Sequence, residues 1–176
     1  MSNALMYGVA CGVAVGLVIC VVVFKWFNKD GKIKTQYDEM QEKARGKAYM
    51  YGFWAILICE AVLAILSLGD VKLPFSGYTL HFLVIMIGVL VQASYSVWHD
   101  AYKGMNTNTH RFAVFCVFIS LFNFFPAVMA IINGNMYVDG QLQLPFINLI
   151  CGTMFIVIGL EILIKRIVDK TEPEEE

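Results

Sequence analysis

A single acid, Glu60, stands inside the apolar run Ala48–Leu68 of this 176-residue chain. Placing such a residue in hydrocarbon costs about 3 kcal/mol. The Phe, Ile, Leu and Val residues around it return about 0.3–0.6 kcal/mol each, so a helix carrying it still inserts. Counted from Ala48 at 1.5 Å per residue, Glu60 lies roughly 18 Å along, near a bilayer midplane. No Lys or Arg lies deep in any other apolar run. The carboxyl must then be protonated and hydrogen-bonded, or else touch water or a cation. The same depth count puts Asn123 and Thr153 at its height and Gln92 about one turn nearer the basic side. Pro126 lacks an amide proton, which frees the carbonyl of Phe122 beside Asn123 and predicts a kink. Two readings stand: a sealed, hydrogen-bonded acid, or a small polar pocket that takes up a proton, a cation or a small solute.

A second cluster, Trp98, His99 and Asp100, closes the third apolar run. Its residue types suit an interfacial aromatic belt, which Trp26, Tyr49, Tyr51 and Trp54 extend on the same side. A metal or proton site at His99 and Asp100 is the sharper alternative. Glu161 and Lys165 form an i, i+4 pair of favourable polarity, which predicts a local ion pair. The five cysteines, Cys11, Cys20, Cys59, Cys116 and Cys151, all fall inside apolar runs without a CxxC pair, so they predict packing rather than a disulfide or zinc site. Neither a phosphate-binding Gly loop nor HExxH nor GxSxG is present. No catalytic residue, metal or cofactor is expected.

The elements that must carry these residues are five apolar runs, at about 4–27, 48–68, 80–101, 112–132 and 145–164. Each reaches the ~20 residues that a helix needs to cross a bilayer. A composition that is 59% hydrophobic and 15% charged fits that reading, and a net charge of −1 gives no electrostatic handle for nucleic acid. Of thirteen Lys and Arg residues, twelve fall in the segments that alternate onto one side, and Lys72 alone falls on the other. The positive-inside rule then orients the chain N-out and C-in. The first run lacks a basic leading segment and is too long for a cleaved leader, so it reads as a retained span. The expectation is one all-α, polytopic membrane helix bundle of five transmembrane helices over 1–168, followed by an acidic disordered tail over 169–176.

The connection 28–47 is the longest, and its second half predicts a helix on the membrane surface or continuous with the second span. Asp139-Gly140, between short alternating runs, is a hairpin signal. Lys47 precedes Glu60, and His110 precedes Asn123, by the same interval, a faint trace of duplication. Gly8, Gly12 and Gly16 line one face of the first run, a groove without side-chain bulk that suits close helix packing. Its partner is either this protein's own later spans or another membrane protein, including a second copy.

Tyr37, Asp38, Glu39, Gln41, Arg45, Gly46, Lys47 and Tyr49 form a Y-D-E-x-Q…R-G-K-x-Y pattern ahead of four of the runs. It resembles a group of small multi-pass membrane proteins of Gram-positive bacteria. That resemblance implies a bacterial plasma membrane and brings no activity with it. A looser similarity is to the substrate-capture subunits of vitamin transporters, which have six spans rather than five. The leading functional expectation is a non-enzymatic membrane subunit that self-associates or docks through its first span. A transporter or channel around Glu60 comes second, and an enzyme at the cytoplasmic interface third.

Overall fold

The computed structural model of the protein describes residues 3–171, and within its first helix the side chains at 11 and from 14 onward. Five helices follow in order: α1 Asn3–Phe27, α2 Glu39–Leu68, α3 Gly77–Trp98, α4 Thr109–Ile132 and α5 Pro145–Thr171. Four of them, α2 to α5, are long and apolar enough to cross a membrane; the described apolar stretch of α1, Ala14–Phe27, is shorter. The architecture is thus the expected all-α bundle.

The helix bounds depart from the apolar runs for local reasons. α2 begins at Glu39 because Asp38 caps it: the Asp38 carboxylate accepts from the Gln41 amide at 2.7 Å, and the Gln41 side chain returns to the Asp38 amide. At 30 residues it is about 45 Å long, so it runs some 15 Å beyond the hydrocarbon. The second half of the first connection is therefore continuous with the span rather than a separate surface helix. α5 continues past 164 to Thr171, into the segment expected to be a disordered tail, and Lys165 pairs with Asp169 along that extra length at 2.9 Å. Between α4 and α5, Tyr137–Val138 and Gln141–Leu142 pair antiparallel around Asp139 and Gly140. Both turn residues have positive φ, as a tight I′ hairpin requires.

α2 packs along α3 and α4 along α5, and α3 against α5 joins the two pairs. Val97, Met154, Ile158 and Ile162 form the small core at that join. The closest approach falls at two glycines that the sequence analysis passed over. A Cβ on Gly52 would lie 2.9 Å from the carbonyl oxygen of Gly88, and one on Gly88 would run into Ile56. Bare backbone is what lets α2 and α3 come this near.

The glycine face of α1 is not used in that way where it is described. A Cβ on Gly16 would meet nothing within 4 Å. The surroundings of Gly8 and Gly12 lie outside the described side chains. α1 meets α4 at its C-terminal end, where Phe27 lies between Phe112 and Phe115. Val15, Leu17, Val18, Ile19 and Val22 remain exposed.

The connections at the two ends of the bundle are interlocked. At the basic end, residues 28–38 and 99–108 are laced together. The Lys29 amide donates to Asn106 O at 2.7 Å, the Gln36 amide to Asn106 Oδ1 at 2.9 Å, and the Asn108 amide to Phe27 O at 2.8 Å. Asn28, only 1% exposed, donates to Lys32 O at 2.8 Å. At the opposite end the α2–α3 loop meets the hairpin, where the Leu142 amide donates to Pro74 O at 2.8 Å and the Ser76 amide donates to Leu142 O at 3.2 Å. The two basic connections and the end of α5 therefore share one end of the bundle, as their lysines and arginines imply.

Candidate functional site

Glu60 sits on α2, eight residues or about 12 Å before its end at Leu68. His81 sits on α3, four residues or about 6 Å after its start at Gly77. The short loop between them folds the two helices back against each other, and Glu60 Oε1 lies 3.0 Å from His81 Nδ1. With 40% of the Glu60 side chain and 65% of the His81 side chain exposed, the pair lies open at the surface of the bundle rather than sealed within it. It lies in a cavity of about 520 Å³ between the outer halves of α2 and α3, their loop and the hairpin. Ser67, Lys72 and Gln141 supply further polar groups to its wall, and Leu63, Val71 and Phe75 supply apolar ones.

This is not the constellation expected from depth alone. Asn123 donates to Ile119 O at 2.9 Å and Thr153 to Leu149 O at 2.9 Å, each one turn back along its own helix. Pro126 lies within an unbroken α4. Gln92 borders the Gly52 crossing, its Cβ 3.1 Å from where a Gly52 Cβ would be, and it is absent from the cavity wall. Glu60 lies about 18 Å from Ala48 and about 12 Å from Leu68, slightly to the non-basic side of the run's centre, and depth alone does not find its partner. His81 was the residue passed over. Its signal was the short α2–α3 connection, which makes antiparallel neighbours of the two helices and brings the last turns of one beside the first turns of the other.

The cluster at the basic end separates into structural roles. His99 Nδ1 bonds Tyr95 O at 2.9 Å, and its ring stacks on Tyr95 with centroids 3.8 Å apart. Asp100, in the left-handed region at φ 55°, turns the chain after α3 and pairs with Lys165 at 3.0 Å. Trp98 is exposed, as are Trp26, Tyr49, Tyr51 and Trp54, in keeping with a belt. Among the described residues no group of three His, Cys, Asp or Glu side chains is placed to hold a metal ion.

The expected Glu161–Lys165 pair is not made. Lys165, its side chain 14% exposed, pairs instead with Asp169 and Asp100, and these hydrogen bonds, Asp169 first, raise its pKa above the ordinary lysine value. Glu161 Oε1 accepts from Ser94 at 2.9 Å, and its Oε2 is buried without a partner among the described residues.

The Y-D-E-x-Q…R-G-K-x-Y residues form a clamp. Arg45 lies over the Tyr37 ring at 4.1 Å and donates to the Tyr37 hydroxyl at 2.8 Å and the Tyr49 hydroxyl at 3.0 Å. Gln41 donates to Asp100 O at 2.9 Å. The pattern therefore binds the α3–α4 connection to the start of α2. Beside it, the Lys32 amide holds the Asp30 carboxyl below its usual range against a smaller opposing effect of burial, with lesser help from the Asn106 side chain.

These features define a class, the helical multi-pass membrane protein. Comparison of the chain with protein-family models, curated proteins and solved structures finds no match.

Proposed function

We propose that this is a non-enzymatic membrane protein that captures a proton or a small cationic solute in the pocket around Glu60 and His81. With the basic end read as cytoplasmic, that pocket faces outward. The observation that carries the reading is the 3.0 Å contact of an intramembrane carboxyl with an imidazole in a partly polar cavity open at the bundle surface. Ionisable groups are expensive at such depth, and a purely structural acid gains most by being sealed against a buried donor. Here the carboxyl meets a ring nitrogen at hydrogen-bond distance, and a cation that takes the place of that donor is held by the same carboxyl. Purified protein in proteoliposomes tests this through pH-dependent binding or flux of a panel of small organic cations. Glu60→Gln should abolish the uptake and His81→Gln should flatten its pH dependence. Uptake unchanged in both variants would overturn the proposal.

A second reading is assembly through α1, favoured by the exposure of that helix beyond its Phe27 root. Because Gly16 touches nothing, Gly16→Leu leaves the bundle intact. Loss of cross-linked oligomers in that variant supports assembly, and their persistence argues against it. The bacterial plasma membrane as the setting rests on the resemblance of the Tyr37–Tyr49 pattern.

A further inference from the structure

The inner halves of α4 and α5 leave a groove of about 310 Å³ that shares no residue with the Glu60 pocket. Its floor and walls are set by Thr109, Cys116, Ser120, Phe124 and Gly159, and Arg166 stands at its mouth. A methyl group at Gly159 would meet nothing within 4 Å, so the groove is open along that side. Its wall offers a polar solute almost nothing, for the Ser120 hydroxyl is already bonded to Cys116 O at 2.9 Å. From Thr109 to Phe124 the groove runs about 22 Å along α4. That carries it from the basic interface past the centre of a hydrocarbon layer about 30 Å thick, the depth that one leaflet's acyl chain fills. No described side chain of α1 lines it. Phe112 and Phe115, which hold Phe27, lie roughly 130° around α4 from the groove face.

We infer that this groove holds one acyl chain of an anionic phospholipid, with its phosphate on Arg166. Arg166 is exposed and makes no ion pair among the described residues, and it stands at the end of the bundle that gathers twelve of the thirteen cationic side chains. A guanidinium at headgroup depth above an apolar channel matches the two halves of such a lipid in charge and in polarity.

The test uses the full chain, equilibrated with vesicles of equal phosphatidylglycerol and phosphatidylcholine, extracted in mild detergent and weighed intact by native mass spectrometry. The wild-type protein should retain phosphatidylglycerol in preference to phosphatidylcholine. Arg166→Gln should reduce that preference about fivefold, the worth of one cation at an anionic surface. Gly159→Phe, which fills the open side, should reduce retention of both lipids. An unchanged headgroup preference in Arg166→Gln, or undiminished retention in a folded Gly159→Phe, would overturn the inference. The Arg166 variant lies at the mouth of the groove, outside the packed helices, and decides the matter should the Gly159 variant not fold.

Discussion

Replacing Gly52 by alanine asks whether the close crossing of α2 and α3 is a constraint or an accident of two small residues. The same substitution at Gly46, on the same helix, serves as its control. Alanine at an exposed helical site is worth about 1 kcal/mol over glycine, and a Cβ at Gly46 meets nothing within 4 Å, so Gly46→Ala should stabilise by about that amount. At Gly52 the new methyl lies 2.9 Å from Gly88 O and 3.1 Å from Gln92 Cβ. The first of these is backbone and cannot rotate away, so the helices must part. Overpacking of this kind costs about 1–3 kcal/mol, which against the propensity gain leaves a net loss of about 1 kcal/mol. The two variants should then differ by about 2 kcal/mol, or roughly 4–8 °C in Tm for a chain of this size. Thermal unfolding in one detergent or nanodisc composition measures it. Shifts of the same sign and size in both variants would refute the reasoning.

Lys165 supplies a pH prediction. Its folded pKa is raised above 10.5 by Asp169 and then Asp100, so its contribution is complete below the unfolded value and is lost as pH climbs through the folded one. Alkaline unfolding followed by circular dichroism should start at lower pH in Lys165→Met than in wild type. Glu161 gives the opposite kind of test. Glu161→Gln keeps an acceptor for Ser94 while removing a buried carboxylate oxygen that lacks a partner, so stability should hold or rise, whereas Ser94→Ala should lower it by about 1–3 kcal/mol. A strong loss in Glu161→Gln would mean that the acid has an ionic partner in the membrane.

The spans were legible because hydrophobic length and the placement of cations are properties of the sequence itself. The Asp139-Gly140 hairpin was legible for a similar reason: two adjacent residues that tolerate positive φ specify the turn. The partner of Glu60 was not, since a count of depth along each run does not say which helices face each other, and His81 approaches from the start of α3. Asn123 and Thr153 looked available because the count of depth ignores the carbonyl four residues back, which each of them takes. Lys165 was assigned to Glu161 by local spacing, but Asp100 approaches it from the α3–α4 connection, a contact that spacing along α5 cannot register. The Gly52–Gly88 crossing escaped notice because each helix contributes one glycine, with no repeat on either.

The lacing of Asn28 to Thr107 spans 79 residues of chain. During synthesis at about 5–20 residues per second, Thr107 emerges roughly 4–16 s after Asn28. Throughout that interval the lysines around Asn28 are not yet fastened to the α3–α4 connection and are free to settle against the membrane face that favours them. The knot tightens only once the ribosome has passed the fourth helix's threshold, so the decision on sidedness precedes the fastening that makes it permanent.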